Sequence, residues 1–376
     1  MEFIVNRQML HSELQLIKGV IEKKNTMPIL SNVLIEAANN QLVLKSTDLD
    51  VGFICKCPAQ VIEPGVFTID ALKMQDILGT CSEQQMTFSM NEGTLLNVHA
   101  GEDSKIQFDD IETMSVEDYP TIPTYDFTES ISLDASFLSE CLSLVLFSIS
   151  ADPHKYALNG CFCKIKDGIL EMVSTDTHRM SVLKTSIDDD TFDIEQLIPR
   201  KTIIEIKKMI GSPEGDEKIE IGFFENRMFF RYMDRTLFSR VIDGTFPDYH
   251  KAIPINNDKV FQFKRVQLLE IMRRKMVFLS DKSKLVRMQF TPGNMNVVLI
   301  NSQRGSSKDK VDIDYEGEPF EVGYNVAYFY DFLKNMNCEN IEMYLKQTGS
   351  QGLFRILKDD LAYDYKHVIM PMRING

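Results

Sequence analysis

No run of apolar residues approaches the roughly 20 needed to cross a bilayer as a helix. The chain also has no N-terminal basic-then-apolar stretch of the secretory kind. Both absences point to a cytoplasmic protein without a membrane partner. Zinc spacing is missing too: of seven cysteines, Cys55-x-Cys57 and Cys161-x-Cys163 lie in alternating, strand-like runs that put both thiols of a pair on one face. Buried free thiols in a reducing compartment are expected, with no metal and no cofactor. G-x-S-x-G, H-E-x-x-H, P-loop and dinucleotide fingerprints are all absent. The turn Asp176-Thr-His-Arg179 has the residue types of an acid–base set, but a lone His is more often structural or part of a binding surface, so no catalytic residue is assigned. Net positive charge is lacking as well, and a formal charge of −14, taken alone, argues against a polyanionic partner.

What is present is repetition. At 376 residues the chain exceeds the size of one hydrophobic core, and a 44% apolar fraction supports packed cores throughout. Offset against itself by about 128 residues, it shows three similar segments. Each opens with an alternating strand, at Glu2–Asn6, Ser130–Asp134 and Val260–Lys264, that runs straight into an amphipathic helix. The apolar stripes fall at Leu10, Leu14, Ile17 and Ile21, at Leu138, Leu142, Val145 and Ile149, and at Leu269, Met272, Met276 and Leu279. Short period-two strands, a second strand–helix pair and more strands follow in each, which predicts antiparallel hairpins. The fold class is α+β, with three similar domains at 1–125, 126–254 and 255–376 and two helices lying on a sheet in each. The helices lean basic while strands and loops hold the excess acid, as at Asp188-Asp-Asp190. If the polar helix faces share one direction, that surface attracts phosphate.

Several motifs in this order resemble those of the bacterial DNA sliding clamps, the beta subunit family of DNA polymerase III. They are Thr26-Met-Pro-Ile-Leu-Ser-Asn32, Ser46-Thr-Asp-Leu49 with its echo Ser174-Thr-Asp-Thr-His-Arg179, Leu158-Asn-Gly160, Gly244-Thr-Phe-Pro-Asp-Tyr249 and Met370-Pro-Met-Arg373. The resemblance implies a DNA clamp fold, with helices lining a central hole, antiparallel sheets outside, and a ring closed by a head-to-tail homodimer. It implies a non-catalytic processivity factor of replication that encircles double-stranded DNA without regard to sequence. Lys24, Lys155 and Tyr156 fall where such clamps touch duplex DNA, and Lys73, Arg200, Lys201, Lys207 and Lys208 look like lining residues.

The resemblance also implies a pocket between the middle and last domains for short hydrophobic peptides of the replicative polymerase, the clamp loader and repair polymerases. Its residues would be Leu158, Thr175, Thr177, His178, Arg179, Met180 and Pro247, with Asn325, Tyr328 and the tail Val368, Ile369, Met370, Pro371, Met372, Arg373 and Ile374. The family often has Gly where Thr177 stands, which would narrow one edge of the pocket. Ile106 and Phe108 would face Phe278 and Leu279 of a second copy in the dimer contact. Two other readings stand beside this one: a protein-only scaffold, which suits the acidity, and an enzyme using Asp176, His178 and Arg179.

Overall fold

The computed structural model describes residues 1–21, 27–90, 95–101, 105–280, 283–301, 303–357 and 362–374. One plan is met three times. The first copy comprises β1 (Glu2–Asn6), α1 (Arg7–Ile17), β2 (Asn32–Ala38), β3 (Gln41–Thr47), β4 (Val51–Glu63), β5 (Gly65–Asp70), α2 (Ala71–Thr80), β6 (Gln85–Met90), β7 (Leu95–Ala100) and β8 (Ile106–Glu112). The second comprises β9 (Ser130–Asp134), α3 (Ala135–Leu146), β10 (Gly160–Lys166), β11 (Ile169–Thr175), β12 (Arg179–Ser186), β13 (Ile194–Pro199), α4 (Arg200–Ile210), β14 (Lys218–Phe224), β15 (Arg227–Tyr232) and β16 (Arg235–Arg240). The third comprises β17 (Lys259–Lys264), α5 (Arg265–Met276), β18 (Leu285–Thr291), β19 (Asn294–Asn301), β20 (Gly305–Asp312), β21 (Phe320–Asn325), α6 (Val326–Asn335), β22 (Asn340–Leu345), β23 (Gly352–Leu357) and β24 (Tyr363–Ile369).

Strands run directly into helices because the last strand residue doubles as the N-cap. Asn6 accepts a hydrogen bond from Met9 N at 3.1 Å, Asp70 from Lys73 N at 2.8 Å, Asp134 from Phe137 N at 2.9 Å and Asn325 from Ala327 N at 3.0 Å. An N-cap residue keeps extended backbone angles, so no linker is needed.

The chain divides into two compact units that cut across the repeats: residues 1–139 with 201–241, and residues 140–200 with 242–376. In the first unit one sheet runs β8-β7-β6-β1-β4-β16-β15-β14-β9, with β3, β2 and β5 branching from the long strand β4. In the second, one sheet runs β13-β10-β11-β12-β24-β23-β22-β17 and another β20-β19-β18-β21. Both units therefore contain a seam where copies join by strand pairing. At the first seam β16 pairs antiparallel with β4, Arg235 opposite Cys55; at the second β24 pairs antiparallel with β12, Tyr365 opposite Leu183.

The helix stripes hold for the first two copies, with a shift at their ends. Helix α1 stops at Ile17, and Val20 rather than Ile21 is buried beyond it; Ile149 is buried past the end of α3. The third stripe is corrected. Its buried residues are Leu268, Ile271, Met272 and Lys275: Met272 stands as expected, Leu268 and Lys275 replace Leu269 and Met276, and Leu279 is half-buried beyond the helix. A fully buried lysine holds a core position there, and an apolar periodicity cannot register it.

The second seam encloses a polar network. His367 on β24 is 0% exposed; its Nδ1 is hydrogen-bonded to Ser181 Oγ at 3.0 Å, and its ring stacks on Phe332 at 4.9 Å. Nε2 has no partner among the described residues. Burial, with Arg179 adding to it, pushes the imidazole pKa well below the usual histidine value. The native state thus keeps His367 neutral, while the unfolded chain takes up a proton below about pH 6.5. Stability from this group is complete above that pH and falls as pH drops. His367→Leu should flatten the loss of stability between pH 7 and 5 by up to about 1.4 kcal/mol per pH unit, measured by denaturant unfolding. Parallel profiles for the two proteins would contradict this.

Candidate functional site

Each of the first two copies places the same turn ahead of a seam strand. In the second copy Thr175 Oγ1 donates to Arg179 O at 2.7 Å and accepts from Thr177 N at 3.0 Å. Asp176 Oδ1 accepts from His178 N at 2.9 Å and Arg179 N at 3.0 Å. In the first copy Thr47 and Asp48 make the same bonds around Leu49 and Val51. In the third, Asn301 Oδ1 accepts from Gln303 N and Arg304 N. The Ser-Thr-Asp echo in the sequence is therefore a turn-forming device, and one oxygen of the Asp176 carboxylate is taken up by backbone donors. The middle residue is forced left-handed, with φ of +82° at Leu49 and +80° at Thr177. Glycine is the residue that meets that conformation without strain, and a β-branched Thr177 holds it at a cost.

Around this turn the second unit gathers side chains from three elements. Arg179 is held by Asp176 at 3.1 Å and by Asp331 of α6 at 2.7 Å, and its guanidinium lies 4.5 Å over the Tyr328 ring. His178 stacks on the same Tyr328 ring, 6.2 Å between centroids and 19° between planes. The tail closes one side: Met370 N donates to His178 O and Met372 N to Gly323 O, both at 2.8 Å. A Cβ at Gly323 would fall 2.6 Å from Leu285 Cδ1 and 3.0 Å from Ile374 Cγ1, so the tail approaches β21 only because no side chain stands there. Met180 and Val368 join an apolar cluster with Val173, Tyr249 and Leu353 on one sheet face.

Of the expected pocket residues, Thr175, Thr177, His178, Arg179, Tyr328 and Met370 meet around the turn, Ile369 pairs with Arg179 across β24 and β12, and Met180 and Val368 pair with each other and belong to the apolar cluster. Asn325 is the cap of α6. Leu158 is half-buried in a single helical turn, Tyr156–Leu158. Pro247 is exposed and lines a neighbouring cavity of about 410 Å³ with Phe162, Glu171, Glu195 and Tyr249. Pro371 and Met372 are half-buried, and Arg373 is exposed. Asp331 and Gly323 were not foreseen: a lone Asp on a helix and a lone Gly in a strand carry no local signal of what they will meet.

The basic residues divide into two groups. Arg7 caps the end of α2 by donating to Leu78 O and Glu83 O, and Arg265 caps α6 through Leu333 O and Cys338 O. These side chains belong to the scaffold, not to a phosphate-facing surface. Lys201 reaches Asp48 Oδ2 at 2.5 Å and Val20 O at 2.9 Å. Lys155 donates to Asp176 O and Thr177 Oγ1, both at 3.0 Å, beside an exposed Tyr156. Lys208 pairs with Glu205 at 2.8 Å, and Lys207 is partly buried, which lowers its pKa. Lys73 and Arg200 are exposed. Lys24 lies outside the described residues.

Two strands end their sheets at related places. Strand β8 carries half-buried Ile106 and Phe108 and has no partner beyond it among the described residues; β20 likewise ends its sheet. Phe278 and Leu279, half-buried, follow α5 and sit at the start of β20: Asn301 Nδ2 donates to Phe278 O and Arg304 Nη1 to Leu279 O. Val277, 70% exposed, is the apolar residue beside them that periodicity did not single out.

Burial raises the thiol pKa of Cys55 and Cys161 and pushes that of Cys57 up to about 11, which disfavours a thiolate at those three positions. Among the described residues no group of three or more His, Cys, Asp or Glu side chains is placed to hold a metal ion.

Family models for the N-terminal, central and C-terminal domains of the DNA polymerase III beta subunit match residues 1–123, 132–248 and 250–373. The beta sliding clamp of Pseudomonas putida is 30% identical over 377 residues, covering 100% of both chains. The crystal structure of the DNA polymerase III subunit beta from Pseudomonas aeruginosa superposes with a TM-score of 0.89 at 28% identity, again over 100% of both chains. A sliding clamp from the same organism bound to griselimycin gives 0.90 at 28% identity with the same coverage. With three family models in order along its length, and with a twice-built strand seam and a turn that recurs in every copy, the chain belongs to the DNA polymerase III beta subunit family, the beta sliding clamps, which are non-catalytic accessory subunits of processive replication.

Proposed function

We propose that two copies of this chain close head to tail into a ring around duplex DNA in the cytoplasm, and that the groove at Arg179 takes short hydrophobic peptides. The observation that carries the ring is the pair of unmatched strands. The last strand of copy two pairs with β4, and the last strand of copy three pairs with β12. Among the described residues, the last strand of copy one, β8, and the strand that corresponds to β4 and β12 in copy three, β20, are the two left without a partner there. An interface between different surfaces closes only by symmetry, and two chains supply it.

Inside such a ring the contacts with DNA need only be weak. Escape requires opening a seam instead of breaking bonds to phosphate, and cations such as Lys73 and Arg200 serve without reading sequence. Lys24, Lys155, Tyr156, Lys201, Lys207 and Lys208 complete the proposed DNA-facing set. The peptide groove offers Met180, Val368, Met370 and the Tyr328 ring for Leu or Phe side chains, with Arg179 and His178 as polar anchors. The partners are the replicative polymerase, the clamp loader and repair polymerases.

Loaded onto nicked circular DNA, the protein should persist there and leave when the circle is cut. Equal loss from both forms would remove the topological mechanism and favour a protein-only scaffold. Deleting Met370 to Gly376 should abolish binding of a polymerase-derived peptide while the dimer survives in sedimentation. Unchanged peptide affinity would refute the groove.

A further inference from the structure

The three copies can be brought into register through the structure itself. Counting from the helix N-caps Asn6, Asp134 and Lys264, residue eleven is Ile17, Val145 and Lys275. Following the strand pairings outward from Asn32–Asp70, Gly160–Pro199 and Leu285–Asn325 makes Cys55, Leu183 and Asp309 equivalent. The same procedure through the other strands makes Ile106, Arg235 and Tyr365 equivalent. Since Arg235 lies opposite Cys55 and Tyr365 opposite Leu183, the register places Ile106 opposite Asp309 of a second copy.

The third location differs from the other two in chemistry. Ile17, Val145, Cys55 and Leu183 are all at most 1% exposed and apolar. In their place stand Lys275, 0% exposed, and Asp309, joined by an ion pair. Lys275 Nζ also donates to Ser307 Oγ at 2.9 Å, and Arg274 holds the other oxygen of Asp309 through Nε and Nη2 at 3.0 and 2.6 Å. Arg274 is 52% exposed and Asp309 16% exposed, so the cluster still meets water in the single chain.

We infer that this Lys275–Asp309–Arg274 cluster makes the seam between two copies separable: its ions all come from one side, where the second internal seam has Val145 and Leu183 and the first has Arg235 and Glu13 paired across the joint. The inference rests on the head-to-tail ring reading. On closure, Ile106 of the second copy comes down over Asp309 and removes the remaining water from a set of ions, without supplying a hydrogen bond in return. Desolvating ions beneath an apolar cap opposes association, whereas the same cap over Ile and Leu would favour it. The charged edge also discourages β20 from pairing with other strands while the ring is open.

The test is subunit exchange between two differently labelled populations of the full chain, followed by energy transfer. The double variant Lys275→Ile with Asp309→Leu, which copies the residues of the internal seams, should exchange about tenfold more slowly or slower still, by analogy with buried ion pairs replaced by hydrocarbon. Asp309→Asn keeps the shape but leaves Lys275 and Arg274 uncompensated, and should exchange faster. Denaturant midpoints of both variants show that they fold. A stable dimer whose exchange rate ignores both variants, or a double variant that folds yet exchanges faster, overturns the inference alone. A wild-type chain that sediments as a monomer removes the ring reading and the inference together.

Discussion

Antiparallel pairing across the repeat boundaries is the constraint on which the other features depend. A strand at a sheet edge presents a row of backbone donors and acceptors that must find partners. Here β4 receives β16 and β12 receives β24, so each sheet continues from one copy into the next. The Thr-Asp turn stands at the head of each receiving strand, and its neighbours differ from copy to copy. Asp48 is met by Lys201, Asp176 by Arg179, and the third copy substitutes uncharged Asn301. Among the described residues, only at the second seam does a strandless segment lie alongside the turn, with Met370 N bonded to His178 O. A repeated scaffold thus carries different surroundings at each turn.

The charge of the chain is distributed with the same economy. A formal −14 hides the use of many cations as internal fasteners. Arg7 and Arg265 satisfy carbonyls at helix ends that would otherwise lack donors, which is why they sit at the first position of their own helices and reach across to the next. Arg235 forks onto Glu13 at 3.0 and 2.6 Å and carries this role into the first seam. What remains for phosphate is a smaller set of exposed cations than a count of Lys and Arg on helices suggests.

The repeat, the element order and the α+β class were legible because period-two and helical spacings are local. The thiol pairs on one strand face were legible for the same reason, with Cys55, Cys57, Cys161 and Cys163 all buried. Lys275 was not, because a buried lysine breaks the apolar pattern and its partner Asp309 lies 34 residues away. The residues that complete the proposed groove, Asp331 and Gly323, owe their roles to chain segments that meet only after folding. Thr177 was visible as an oddity, and the +80° φ supplies its physical meaning. Charge on the helices was read correctly as a surplus, yet its division into caps, ion pairs and exposed cations is a tertiary fact.

Two seams of this protein join strands of one polypeptide, whereas in the proposed ring β8 and β20 pair with strands of another. Covalent linkage gives the internal seams an effective local concentration that no dilution can lower, often in the millimolar range for short connections. Free chains that associate must in addition give up translational and rotational freedom, roughly 4–15 kcal/mol by common reckoning. Identical backbone geometry is therefore permanent in one setting and reversible in the other. Tandem duplication leaves only one kind of joint in the assembly answerable to mass action.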